Sequence, residues 1–188
     1  MNTYLRARDI SEEPVVTLGG EDVAQIKDVI FDPMHGNIMC FTLSGRGMLA
    51  GPLKRALLWR KVHGLGPDAV MIRDEKAMED DDTAAQEYTR APGSGRIIGA
   101  RMMTEDGTGL GTVTDVIIEV GKSARVIGYE VDSATDTGRT VFLPVIKPKS
   151  VSEEMVVVPA CTAEFTAGDA AGLPTAADGL RRRLEGET

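Results

Sequence analysis

Short apolar runs rich in Val and Ile recur along the chain, each closed by a cluster of Gly, Asp, Pro or Ser. Runs of this length with turn residues between them predict strands joined by hairpins. One run, VAQIKDVIFD (residues 23–32), returns as LGTVTDVIIE (residues 110–119), 87 positions later. Val23, Ile26, Asp28, Val29 and Ile30 fall on Leu110, Val113, Asp115, Val116 and Ile117, and Gly20 falls on Gly107. With a shift of one, NIMCFTLS (37–44) falls on RVIGYEVD (125–132), and near the ends DAVMI (68–72) falls on EMVVV (154–158). Agreement of successive segments in one order means two copies of one folding unit.

Each copy reads as five or six short antiparallel strands. The glycines of GGED and EDGTGLG supply positive φ for tight turns, and DPMHGN and EVGKSA mark the next turn of each copy. A unit of this size is small for its own core, and closing it into a barrel removes exposed strand edges. The expected architecture is all-β, with two tandem small β-barrels. The units span residues 4–74 and 95–160. An acidic, Pro- and Gly-containing linker joins them over 75–94 and is expected to be solvated, with one helical turn near 83–88. The tail, 161–188, carries Leu180 and Leu184 four apart, the spacing of one face of a short helix.

A two-residue period places Ile26, Asp28 and Ile30 on one face of the long strand and Lys27, Val29 and Phe31 on the other; Val113, Asp115 and Ile117 share a face in the second copy. An acid between aliphatics must be hydrogen-bonded or paired. Asp28 and Asp115 therefore read as structural acceptors for turn N–H groups. A catalytic or metal-binding reading lacks a second acid, His or Cys at ligand spacing.

Composition narrows the function. The chain is 42% hydrophobic but only 4% aromatic, so a core of Val, Ile, Leu and Met is expected. The net charge is −8, which repels phosphate backbones on average and makes nucleic acid an unfavoured partner. Cys40 and Cys161 lack a CxxC partner and read as incidental thiols. The start, MNTYLRARDI, has no apolar signal region, and no apolar run approaches a bilayer span, so a cytoplasmic protein is expected. The run EDDD (79–82) lacks the spaced oxygen ligands of a calcium loop. GTGLG (107–111) opens a strand and not a helix, so it reads as a turn and not a phosphate cradle. No catalytic residue, cofactor site or metal site is expected, and the protein reads as a non-enzyme.

The pattern G-x-V-x-D-V-I-x-E from Gly111, followed by a strand, the Leu143–Pro144 dipeptide and a short terminal strand, resembles the PRC-barrel family. The first copy departs from it: Ala24 replaces Gly111, Trp59 stands near the Pro144 position, and GRGMLAGPLK is inserted before the fourth strand. The arrangement is similar to bacterial tandem PRC-barrel proteins. That family includes the cytoplasmic part of the photosynthetic reaction-centre H subunit and the C-terminal domain of a ribosome-maturation factor. The resemblance implies a docking or assembly role in a larger complex. A reaction-centre H-like role at the cytoplasmic membrane face and an RNA-metabolism or ribosome-maturation adaptor both stay open. It brings no catalytic residues, and it marks Gly111 and Pro144, with Asp28 and Asp115, as structural.

The segment RGMLAGPLKRALLWRK (46–61) is the leading candidate for partner contact, because exposed Met, aromatic and Arg side chains are enriched at binding hot spots. Its candidates are Arg46, Met48, Leu49, Lys54, Arg55, Trp59, Arg60 and Lys61. Leu180 and Leu184 of the tail come second. The expected partner is a protein, including one in a membrane-bound complex. Oligomeric state is not specified by the sequence.

Overall fold

The computed structural model describes residues 3–47, 49–88 and 94–186. The chain opens with strand β1 (Thr3–Arg6) and one helical turn, α1 (Ala7–Ile10). The first copy continues with β2 (Pro14–Thr17), β3 (Asp22–Phe31), β4 (Ile38–Ser44) and β5 (Pro52–Leu58). A 3-10 turn (Trp59–Lys61) leads to β6 (Val62–Leu65) and β7 (Val70–Ile72). A second 3-10 turn (Glu75–Ala77), β8 (Glu79–Asp80) and helix α2 (Asp81–Tyr88) follow. The second copy runs through α3 (Ser94–Ile97), β9 (Arg101–Thr104), β10 (Gly109–Val120), β11 (Ala124–Ser133), β12 (Thr140–Pro144), β13 (Ser150–Val151) and β14 (Met155–Val158). It ends in 3-10 turns (Ala160–Glu164 and Ala170–Gly172) and helix α4 (Leu173–Gly186).

Two sheets form, one per copy, with matching strand order: β6-β7-β2-β3-β4-β5 and β13-β14-β9-β10-β11-β12. The tandem all-β architecture is the expected one. One joint differs. β7 runs parallel to β2, and β14 runs parallel to β9. Hairpin partners must be antiparallel, but these pairs are joined by the whole intervening copy and escape that constraint. The hydrogen-bonded ladder also stays open instead of closing. The edge at β5 is capped by β8, and the edge at β12 by a bridge between Phe142 and Ala167. Covering an edge protects it as closure does.

Both long strands carry a bulge at the same place. Pairing slips between Ile26 and Asp28 in β3 and between Val113 and Asp115 in β10. An extra residue reverses the inward-outward alternation beyond it. The expected face shared by Ile26, Asp28 and Ile30 is therefore broken. Ile26, Val29 and Phe31 join the main core, while Ile30 turns to a second cluster on the other side of the sheet. Val113, Val116 and Ile118 follow the same rule, with Ile117 on the far side.

That far side explains the segments after each barrel. Part of the expected solvated linker is instead packed: Ala77, Met78 and Ala84 are buried, and α2 lies on β5, while residues 89–93 lie outside the described residues. Ala84 covers Ile30, Cys40, Ala56 and Leu58. In the second copy Leu173 of α4 covers Ile117, Ile127 and Phe142, and α4 lies on β12 and β11. Each copy thus ends in a 3-10 turn, an edge-capping bridge and a covering helix, with a second 3-10 turn before the helix of the second copy.

The copies are joined by exchanged elements. β1 pairs with β10 of the second copy, placing Leu5 opposite Ile118. α1 and α3 each pack against both β3 and β10. The turn after β3 reaches across as well, with the Val126 N–H donating to the Gly36 carbonyl at 2.7 Å. One buried cluster runs through the junction, from Ile10, Phe31 and Phe41 to Ile97, Met102 and Tyr129.

Candidate functional site

The segment 46–61 does not form one surface. β5 occupies its middle, and seven residues of strand span about 23 Å. The candidates are divided between the two ends of the first barrel.

At one end, the hairpin loop between β4 and β5 is closed by the Gly45 N–H on the Gly51 carbonyl at 3.1 Å. Gly47 adopts φ +90, and the Ala50 N–H returns to its carbonyl at 3.0 Å. Leu49 projects from this turn fully exposed. Met48 lies outside the described residues. Arg46 pairs with Asp22 at 3.4 Å, tying the loop to the neighbouring β2–β3 turn. That turn carries Leu18, which is 53% exposed. Leu18 and Leu49 thus place two large aliphatic side chains at one end of the barrel, a pairing that the linear sequence did not reveal because 31 residues separate them.

Along β5, Lys54 is exposed, whereas the Arg55 guanidinium donates to the carbonyls of Glu75 (3.3 Å) and Met78 (2.8 Å). Arg55 is thereby committed to holding the segment after β7 against β5, which corrects its expected role as a free contact. At the far end, Trp59 is half-buried and stands edge-on to Phe41, with ring centroids 6.3 Å apart. This is a packing contact. Arg60 and Lys61 remain exposed on the following turn.

The tail candidates are also corrected. Leu180 is fully buried where α4 lies on the second sheet, and Leu184 is half-buried beyond it. Their i, i+4 spacing marks a face that the protein itself covers.

Asp115 is buried directly after its bulge. Its Oδ1 accepts the N–H groups of Val116 (2.8 Å) and Arg8 (3.2 Å). The Arg8 guanidinium donates to the Thr114 carbonyl at 2.7 Å and brings its Nε to 3.7 Å from Asp115 Oδ2. Burial pushes the Asp115 carboxyl up from its ordinary value, opposed by these N–H groups and the Arg8 charge. Asp28 accepts the Val29 N–H at 2.8 Å in the same position of the first copy. Gly111 sits at φ +146, where an added Cβ would lie 1.9 Å from the Asp132 carbonyl oxygen. Pro144 is buried at the end of β12, opposite Gly128. Among the described residues no cluster of three or more His, Cys, Asp or Glu gathers at metal-binding distance. Cys40 and Cys161 are buried and form no disulfide among the described residues.

The fold is that of a duplicated small β-barrel protein. The chain belongs to the PRC-barrel family: the PRC-barrel domain model matches it twice, over residues 2–78 and 94–163. PRC-barrel domains commonly take part in protein interactions and assembly. No curated protein matches the chain. No helix among the described residues is long and apolar enough to cross a membrane.

Proposed function

We propose that the protein is a non-enzymatic docking module that organises a protein complex at the cytoplasmic face of a membrane. The observation that carries this reading is the fully exposed Leu49 at a hairpin tip, with Leu18 on the adjoining turn. Large apolar groups held out by a rigid scaffold suit partner contact, and surface loops are where such contact is usually placed. The rest of the molecule supports this use, since two barrels locked through exchanged elements make a stiff platform. A second reading, an RNA-metabolism or ribosome-maturation adaptor, draws on the cations between Arg46 and Lys61 and on the family resemblance.

Affinity capture with the full chain tests the docking reading. Leu49→Ser, alone and with Leu18→Ser, should leave thermal stability unchanged, because exposed-loop substitutions typically stay within about 0.5 kcal/mol. Capture of the partners held by the native chain should drop. Equal capture by the double variant would remove the loop from the proposal.

A further inference from the structure

Arg60 and Lys61 belong to a different site from Leu49. The 3-10 turn after β5 carries them to a groove of about 390 Å³ that His63 of β6, Arg73 at the end of β7 and Lys76 of the next 3-10 turn also line. Val62 and Ala77 supply its apolar lining. Among the described residues the one carboxylate lining it is Asp74, which accepts the Lys76 backbone N–H at 2.9 Å and caps that turn. Arg60 stands 3.7 Å from Glu79, a loose pair at the margin. Lys61, Arg73 and Lys76 have no carboxylate within ion-pair distance among the described residues and are exposed. On a chain of net charge −8, such a local excess of cations opposes the net sign of the chain.

Concentrated positive charge in a concave site raises the local concentration of anions. Arginine adds a planar fork that matches phosphate oxygens in pairs, and lysine adds a mobile point charge. A groove of this size admits a compact group bearing one to three phosphates. We infer that Arg60, Lys61, Arg73 and Lys76 form a binding site for a multivalent phosphate group, carried either on a soluble molecule or on a lipid headgroup. This site lies at the opposite end of β5 from Leu49, so it is independent of the docking surface and either can fail alone.

The test uses the full chain with two probes at low and moderate salt: inorganic tripolyphosphate by calorimetry, and vesicles carrying a phosphoinositide with two ring phosphates by co-sedimentation. Binding of at least one probe is expected, weakening with salt. Lys61→Glu combined with Arg73→Glu should lower affinity at least tenfold, and the neutral pair Lys61→Gln and Arg73→Gln should show an intermediate loss. Lys27→Glu with Lys122→Glu, an equal charge change elsewhere, should lose less than twofold. Circular dichroism checks that each variant is folded. Tripolyphosphate binding alone identifies a soluble ligand, and vesicle binding alone a lipid surface. The site is overturned if neither probe binds at low salt, if the control pair loses as much as the groove pair, or if a glutamate-rich peptide of matching charge binds as tightly. Binding confined to structured RNA, with neither probe retained, overturns it too.

Discussion

Arg8 and Asp115, 107 residues apart, meet at the junction of the two copies: the Asp115 carboxylate accepts the Arg8 backbone N–H, and the Arg8 guanidinium bonds the carbonyl just before Asp115. The same carboxylate also holds the N–H that follows the β10 bulge. One buried acid thus fixes a bulge within a copy and the first helical turn against the other copy.

Removing that carboxylate should be costly. Asp115→Ala leaves two backbone donors without their acceptor, for an expected loss of about 1–3 kcal/mol. Urea unfolding measures it. A change under about 0.5 kcal/mol would mean that the junction does not depend on this contact.

Glu13 predicts a pH dependence. It is buried, its Oε2 has no hydrogen-bond partner among the described residues, and burial with the neighbouring Asp68 and Asp9 pushes its carboxyl up to about 7. Because the folded value is raised, the folded state binds the proton more tightly than the unfolded one. The Glu13 contribution therefore favours folding at low pH and is lost as pH rises from the ordinary carboxylate range to about 7. Glu13→Gln should raise the melting temperature at pH 8 relative to the native chain and change it little at pH 4.5. Ala100 occupies the matching place in the second copy, so Glu13→Ala should also be stabilising at pH 8.

The neighbouring position offers a cleaner comparison between copies. Glu12 adopts φ +77 and donates its N–H to the Ile26 carbonyl; Gly99 adopts φ +96 and donates to Val113. The first copy therefore places a side chain in a left-handed conformation that costs roughly 1–2 kcal/mol, partly offset by the extra unfolded-state freedom of glycine. Glu12→Gly should stabilise the protein by about 0.5–1 kcal/mol in a denaturant titration. The exchange in the other copy, Gly99→Glu, should destabilise it.

Gly111→Ala should prevent correct assembly of the second barrel. The new methyl would meet the Asp132 carbonyl and the Val131 side chain well inside van der Waals contact, at a φ disfavoured for alanine. Loss of soluble folded protein is expected. Gly107→Ala, at φ +89 but with open space around it, should be milder and is the control.

The repeat and its strands were legible because hydrophobic spacing and turn residues encode them locally, as in residues 23–32 and 110–119. The bulge at Asp28 and Asp115 was not legible: one extra residue against a partner strand leaves no mark in a single strand's pattern. Nor were α2 and α4 visible as the same element, because their sequences differ and only the exposed backs of the two sheets call for a cover. Leu180 showed its helical spacing, but the spacing could not say whether the protein's own sheet or a partner would receive it. The basic groove was hidden for a related reason. Arg60 and Lys61 were apparent, while Arg73 and Lys76 join them only through the β6–β7 hairpin.

The pairing of β1 with β10 sets an order on how the protein can be made. Residues 3–6 leave the ribosome before residues 117–120 and take their final place only after these have followed. Until then Leu5, Ala7 and Ile10, all buried in the finished protein, lack the strand that shelters them. A nascent first barrel therefore carries an unfinished apolar face and an open strand, both prone to mispairing. A ribosome stalled between the copies would leave β1 and its apolar side chains waiting for their partner strand, so the two halves are tied together in time as well as in space.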